Sequence, residues 1–478
     1  MSSGRRRVIW AYDREHLLHP FIVMGLNTLA AAGWEVTVVS ADKAASAAYR
    51  AYDAFSFARR VRNFQHTVFE VRGRLEQDAI QKQKALHRIE KSLAREGHRF
   101  SPRRRLVMRA KAFGYAAQTS VIMAWREVLK SFGNWRRLSL DTWLIYLRGF
   151  SRLIRLDGEV MIASRPEAAV WACLAAKARG MRFVYFPFEL YGEQIVKPTP
   201  VVAWLERFIL RHCVDAVITQ NDCRARVLQE ERGARTTPLI VHNYKSIRSE
   251  HRTAGRLRAR HGIGPDKRIV LYEGVIVDGR WLEHVAQAVL HLPEQVVVVM
   301  MGQEKLKWRT MFAEQIKAPL ASGRLIIAPP VPHDDLPDLV ADADVGVIIY
   351  DDSVRNNVFC EPGKLSDYIA VGVPVVAPNF PTIGPVVRDY GIGLCFDGHS
   401  PEAIAETLRK VLDRPKSDWA PALERACAEL TWETQAPNLL AAVSGGYLSE
   451  ARAESPVAGG RTGSLDGASA VNRPTLTP

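Results

Sequence analysis

Residues 360–379 read CEPGKLSDYIAVGVPVVAPN and place a lysine and an aspartate three positions apart at the start of a predicted helix. Pro362 falls where a first helical turn tolerates proline, Gly372 follows the helix end, and 373–377 re-enter a sheet. A helix that starts beside the carboxyl ends of parallel strands turns unpaired N–H groups and a partial positive charge into the crevice there. An anion such as a diphosphate would bind at that point. Lys364 adds a full charge in the first turn, and Asp367 lies on the same face. A carboxylate one turn in from a phosphate site is well placed to accept hydrogen bonds from ribose hydroxyls. The spacing is also compatible with a surface ion pair between Lys364 and Asp367 on a helix that is only scaffold.

The elements that must position these residues follow from the apolar pattern. RRRVIWAY (5–12), an apolar-periodic helix, Gly33 and WEVTVVS (34–40) make a βαβ unit and so imply a parallel sheet. The pattern resumes near Gly158 with EVMIAS, an alanine-rich helix, FVYFPF, a helix around 204–212, and DAVITQ. After the turn HGIGPDK (261–267) comes a second series: RIVLYEG, helix 280–290, QVVVVMMG, RLIIAPP, helix 335–341, DVGVIIY, helix 363–370, VPVVAP, and GLCF with helix 401–412. Short, β-branched, non-alternating runs are those of strands buried on both faces. The chain is therefore expected to be α/β, with two successive doubly wound domains, 1–250 and 251–430. Two domains also suit 478 residues, which is more than one hydrophobic core usually spans.

Two segments stand outside the alternation. Residues 50–156 read as a long-period helical insertion in the first domain. Within it, 99–156 hold 13 Lys/Arg against the two acids Glu127 and Asp141. That local excess accounts for most of the net charge of +14, which calls for an anionic partner. Its end, 138–156, sets Leu140, Trp143, Leu144, Leu147 and Ile154 near one helical face, with Arg148, Arg152 and Arg155 elsewhere. This is the composition of an interfacial helix, and equally of an insertion that packs on the first domain. The Ser-, Gly-, Ala- and Pro-rich tail, 450–478, is expected to be disordered. Six dispersed cysteines without a CxxC imply neither a zinc site nor a disulfide framework. The apolar run after Arg5–Arg6–Arg7 is cut short by Asp13 and Arg14, too soon for an export signal, so a cytoplasmic protein is expected.

The 360–379 segment resembles the donor-binding signature of retaining GT-B glycosyltransferases of the large family 4 (group 1) type. In these a Glu-x7-Glu motif precedes A-x-G-x-P-V. Ala370 to Val375 read AVGVPV, and Asp367 stands where the second glutamate usually is, whereas Phe359 occupies the first glutamate's position. The PGKLSDYIA run is closer to a subgroup with P-N-K-L-F-E-Y. Residues 272–293 are similar to the family segment in which a loop cation meets the donor phosphates, and Arg280 takes that place. LTWETQAPNLL resembles the family's closing helix, which would cross back onto the first domain over 431–449. FPFELYGEQ (186–194) resembles an acceptor-side D-A-H-E-L-Y motif, with Glu189 retained and Phe188 in the histidine's place.

The resemblance implies a GT-B fold, two Rossmann-like domains facing each other across a cleft. It implies transfer of a sugar, with retention and without a covalent protein intermediate, from a UDP- or GDP-sugar to a lipid-linked or glycan acceptor. Catalytic roles would fall to Arg280, Lys364 and Glu189. Substrate binding would fall to Asp367, Gly363, Leu365 and Gly274. No metal and no cofactor besides the nucleotide-sugar substrate is expected. The absence of GxGxxG and of GxxxxGK[ST] argues against dinucleotide and P-loop enzymes. Nucleic acid is not an expected partner, since the basic segment has no recognisable reading motif. An anionic membrane surface, on the inner face of the plasma membrane, suits the basic insertion. Alternatives are a non-catalytic GT-B-like scaffold subunit, for which Phe359 and Phe188 argue, or a nucleotide-sugar epimerase or phosphorylase.

Overall fold

The computed structural model describes residues 6–12, 20–43, 64–71, 85, 89, 101–102, 106–114, 147, 149–191, 200–246, 255–305, 307–332 and 335–445. Two wholly parallel sheets organise them. The first has the order β3-β2-β1-β4-β5-β6-β7, with β1 Arg7–Tyr12, β2 Glu35–Lys43, β3 Phe64–Val71, β4 Val160–Ala163, β5 Arg182–Tyr185, β6 Ala216–Thr219 and β7 Leu239–Ile240. The second has the order β10-β9-β8-β11-β12-β13, with β8 Arg268–Glu273, β9 Val296–Met301, β10 Leu325–Ala328, β11 Val345–Val347, β12 Val375–Pro378 and β13 Gly393–Phe396.

The residues explain the sheets. In β9 all six side chains of VVVVMM are buried, as for a strand covered by helices on both faces. Tyr272 of β8 and Tyr368 of the helix Gly363–Ala370 are fully buried in the same core, and the Tyr368 hydroxyl donates to the Leu271 carbonyl at 2.9 Å. In the first domain Trp10 of β1 lies in the core and donates its indole N–H to Ser164 Oγ at 2.6 Å. That bond joins the carboxyl ends of β1 and β4, neighbours that pair in register from Val8 with Val160 to Ala11 with Ala163. The helix Trp432–Ser444 packs on the helix Pro20–Ala31, and Trp432 Nε1 donates to Thr28 Oγ1 at 2.8 Å.

Two strands depart from the sequence reading. Residues 64–71, expected within the helical insertion, form β3 and pair along their whole length with β2, from Val36 with Phe64 to Lys43 with Val71. The FQHTVFEV run is rich in β-branched and aromatic residues, and its strand propensity is masked by the helical composition that follows. The insertion therefore does not begin at residue 50; the chain completes a third strand before it. β7 is two residues long, too short to show periodicity. Of the segment read as an interfacial helix, 138–146 and 148 lie outside the described residues; in the rest Leu147 is exposed, Ile154 is half-buried and Leu153 is buried in the first domain's core. The tail from 450 onward also lies outside them. No disulfide joins the six cysteines. Among the described residues, no helix is long and apolar enough to cross a membrane.

Candidate active site

Strand order reverses between β8 and β11, so the loops leaving their carboxyl ends diverge and open a crevice. β8 delivers Tyr272, Glu273 and Gly274 to that point, and the segment after β11 delivers Tyr350. The helix Gly363–Ala370 starts beside them, capped by Pro362 in an extended conformation.

Lys364 is buried to 7% exposure in the first turn of this helix. Its Nζ lies 4.0 Å from the Tyr272 ring centroid and 5.2 Å from that of Tyr350, and has no hydrogen-bond partner among the described residues. The Arg280 guanidinium approaches from the loop after β8, donating to Tyr272 Oη at 3.1 Å and lying 5.3 Å from the Tyr350 ring centroid. Two cations thus share one pair of tyrosines at a helix N-terminus. Gly274 has φ 131°, and a Cβ there would stand 3.5 Å from Lys364 Nζ. A Cβ on Gly302 would overlap the Gly274 carbonyl, so these two backbones meet without room for a side chain. Gly363 backs onto Lys245, whose Cε would be 3.3 Å from a Cβ. Leu365 gives its side chain to the core and its N–H to the Pro362 carbonyl at 3.0 Å.

Asp367 is not paired with Lys364. Both its oxygens take Lys245 Nζ, at 2.6 and 2.5 Å, across 122 residues of sequence. Glu273, 9% exposed at the end of β8, completes a cluster with Asp367, Lys245 and Lys364. Burial first, and the negative charge of Asp367 second, push the Glu273 carboxyl up to about 7, while both lysines oppose the rise. The sequence reading missed Glu273 and Lys245. An acid closing an otherwise apolar strand, as in RIVLYE, is the one local signal; nothing near Lys245 announces it.

Glu189 lies across the domain boundary. Its Oε2 accepts from Asn356 Nδ2 at 2.7 Å and from Arg224 Nη2 at 3.1 Å. Arg224, nearly fully buried, also donates to the Phe359 carbonyl at 2.8 Å, to Gln220 Oε1 at 2.7 Å and to the Phe188 carbonyl. Asn221 Nδ2 reaches the Phe359 carbonyl as well, at 3.1 Å. The two residues that depart from the family motif are thus absorbed by packing. Phe359 rests against the first domain's core, and Phe188 sits 5.0 Å from Phe186 and 5.8 Å from Phe21, ring to ring. The Cys360 thiol lies between the two clusters, pushed up to about 12 by desolvation and within the fields of Arg224, Glu189, Lys364 and Arg280.

The arrangement can hold a dianion between two cations and a helix N-terminus, with a carboxylate one turn away. Residues 254–422 match the family model described as glycosyl transferases group 1. This second domain is a group 1 glycosyl transferase domain. D-inositol 3-phosphate glycosyltransferase of Xylanimonas cellulosilytica is 29% identical over 191 residues. That match covers 38% of this chain and 44% of the relative, so the chain spans less than half of the relative's length. Among solved structures, Anabaena Alr3699/HepE in complex with UDP-glucose superposes with a TM-score of 0.62 at 11% identity, over 92% of this chain and 99% of that one. WaaG, a glycosyltransferase involved in lipopolysaccharide biosynthesis, superposes with a TM-score of 0.53 at 14% identity, over 92% of this chain and all of that one. At such identities the likeness speaks for the fold alone, which is GT-B.

Proposed function

We propose that the chain transfers a sugar, with retention of configuration, from a nucleotide diphosphate-sugar to a membrane-associated or glycan acceptor, in cell-surface polysaccharide or glycolipid synthesis. The observation that carries this is the buried Lys364 ammonium, unpartnered among the described residues and set with Arg280 at the N-terminus of the helix Gly363–Ala370. Burying a cation without a hydrogen bond is costly, and an arriving anion repays that cost.

Transfer from a nucleotide diphosphate passes through an oxocarbenium-like state while negative charge grows on the leaving diphosphate. Preorganised positive charge at that oxygen lowers the barrier most. In this reading Lys364, Arg280 and the first-turn N–H groups take the charge, with no metal required. Asp367, held by Lys245, accepts hydrogen bonds from the ribose, and Gly274 and Gly363 let the diphosphate approach the backbone. Leu365 contributes through the packing that fixes the helix. Glu189 is the acceptor-side carboxylate, held at the boundary by Arg224 and Asn356. That HepE was solved with UDP and UDP-glucose supports a uridine nucleotide ahead of a guanosine one.

The test is a donor screen. Purified protein should slowly hydrolyse one UDP- or GDP-sugar in the absence of acceptor. A specific observation favours the alternative of a catalytically idle scaffold: rings stand at 359 and 188, where the family carries a glutamate and a histidine. No hydrolysis of any donor, together with intact nucleotide binding, would select the scaffold.

Asp367 gives a sharper expectation. Asp367→Asn should weaken binding of the free nucleotide diphosphate roughly tenfold or more, the scale of a lost charged hydrogen bond. Asp367→Glu, the residue more usual in the family, should be tolerated. Calorimetry decides; equal affinity of the Asn and Asp forms would make the carboxylate purely structural.

An acceptor held at the membrane is supported by exposed apolar and basic groups on the first domain. Trp204 and Phe208 of the helix Pro200–His212 stack at 5.9 Å in the open, on the same helix as Arg207 and Arg211. Leu106, Val107 and Phe113 are exposed in the basic segment, as are Arg152 and Arg155. Basic residues near an anionic bilayer contribute about 1 kcal/mol each. Liposome sedimentation should show binding that needs anionic lipid, falls with salt, and is lost when Arg148, Arg152 and Arg155 become Glu. Equal pelleting with neutral and anionic vesicles would remove the case for a membrane acceptor.

A further inference from the structure

The loop that carries Arg280 is attached at two points. Near its start Ile276, fully buried, bridges to the loop after β9: its N–H donates to the Gln303 carbonyl at 2.9 Å, and its carbonyl accepts from Lys305 N at 2.8 Å. Near its end, directly after Arg280, stands Trp281. Its φ is 49°, in the left-handed region where glycine is at ease and a bulky residue is strained. Its indole N–H is also buried without a hydrogen-bond partner among the described residues. A tryptophan here thus carries two local penalties that glycine would escape.

What the tryptophan gains is a ring contact. The indole lies flat on His399, 4.1 Å between centroids and 6° between planes, and 5.0 Å from His284. His399 belongs to the loop after β13, at the far edge of the second sheet. His284, one turn into the helix Leu282–Ala288, ties itself to the same loop through Nδ1, 2.7 Å from the His399 carbonyl. The stack therefore fastens the β8 loop to the β13 loop immediately beside Arg280. Strain kept beside a functional group is strain that the surrounding structure uses.

We infer that Trp281 is a positioning residue: its ring, clasped by His399 and His284, holds the Arg280 guanidinium against the Tyr272 hydroxyl and the Tyr350 ring and so sets the donor-diphosphate clamp before substrate arrives. This rests on the reading of Arg280 as a donor-phosphate ligand. The geometry gives the reason for a ring at this place. Between Ile276 and Trp281 the loop holds Gly279 at φ 78°, and the hydrogen bond there from Gly279 N to Asp278 Oδ1, at 2.7 Å, is local and ties the backbone to nothing outside the loop. Without the stack, Arg280 would rest on a glycine-containing segment held only through its flanks, by Ile276 before it and by the buried Leu282 after it, with no ring fixing residue 281 between them. A displacement of about 1 Å in a charged contact costs on the order of 10²-fold in rate.

The experiment compares four full-length variants: Trp281→Gly, which relieves the backbone and removes the ring; Trp281→Phe, which keeps ring and strain; Arg280→Ala; and the Trp281→Gly/Arg280→Ala double. Two readouts are taken: kcat/KM on the donor found by the screen, and hydrogen exchange of the 277–281 amides in the protein without nucleotide. Trp281→Gly should speed exchange across 277–281 and lower kcat/KM by about tenfold to a hundredfold, while Trp281→Phe retains most of both. The double variant should be no slower than Arg280→Ala alone, because the ring acts through the arginine. Additive losses in the double variant, or unchanged exchange in Trp281→Gly, would overturn the clasp. Should no donor be turned over by the unmodified protein, the functional reading fails on that result, and the exchange measurement still decides for or against the clasp.

Discussion

Replacing Lys364 or Arg280 by alanine is expected to lower turnover of the nucleotide-sugar donor by about 10²-fold or more while leaving the fold intact. Loss of one preorganised contact to developing negative charge is worth about that much. The two substitutions should differ in their effect on stability. Lys364 Nζ is buried against the Tyr272 ring with no hydrogen bond among the described residues. Removing it takes away a desolvated cation, so the nucleotide-free protein should unfold no more readily than the parent, and Lys364→Met should if anything unfold later. Arg280 donates to the Tyr272 hydroxyl, so its loss leaves that group with one partner fewer. Steady-state kinetics beside thermal unfolding separates the two effects. Near-parental kinetics in both variants would remove the site assignment.

The largest stability effect is expected in the first domain, at a buried pair. Arg232 Nη1 meets Glu206 Oε2 at 2.9 Å, with side chains 5% and 2% exposed. Glu206 Oε1 accepts from the Tyr185 hydroxyl at 2.6 Å, and Arg232 Nη2 donates to the Tyr191 carbonyl at 2.6 Å. Arg232→Met strands the carboxylate and should cost about 3–5 kcal/mol. Burial already raises the Glu206 carboxyl above its ordinary range, and Arg232 opposes the rise. Without the arginine the folded-state value climbs further. A raised carboxyl contributes its stability below the unfolded value and loses it as pH rises through the folded one. The deficit of Arg232→Met should therefore be greatest at neutral and alkaline pH and shrink on acidification. Urea unfolding across that range is the measurement, and a deficit independent of pH would contradict a stranded carboxylate. Pairing the change with Glu206→Gln should restore much of the loss.

The sheets were legible because doubly covered parallel strands leave a plain trace. RIVLYE and VVVVMM are short, apolar and β-branched, and both are buried along almost their whole length. β3 escaped because FQHTVFEV sits beside a long charged stretch whose composition favours helix. At the site, the nearness of Lys364 to Asp367 and the helix start could be read from spacing, yet the partner of Asp367 could not. Lys245 lies 122 residues away and reaches the aspartate only because the linker after β7 runs past the helix Gly363–Ala370. Glu273 joins them only through the strand-order reversal between β8 and β11, a property of topology rather than of any local pattern. Trp281 gave no signal at all, since a tryptophan in left-handed backbone is not foreseen from its neighbours. Phe359 and Phe188 read as losses in the motif, and the structure shows each ring packed against aromatic or core neighbours of the first domain.

In the proposed function, the crevice at the carboxyl ends of β8 and β11 binds a nucleoside diphosphate through Lys364 and Arg280. Calorimetric titration of UDP and of GDP into the full chain tests it without any knowledge of sugar or acceptor. Saturable one-site binding of one of the two is expected, with no comparable binding of the corresponding nucleoside and with loss of the signal in the Lys364→Ala/Arg280→Ala double variant. Binding of neither diphosphate, or binding of equal affinity in that double variant, would contradict it.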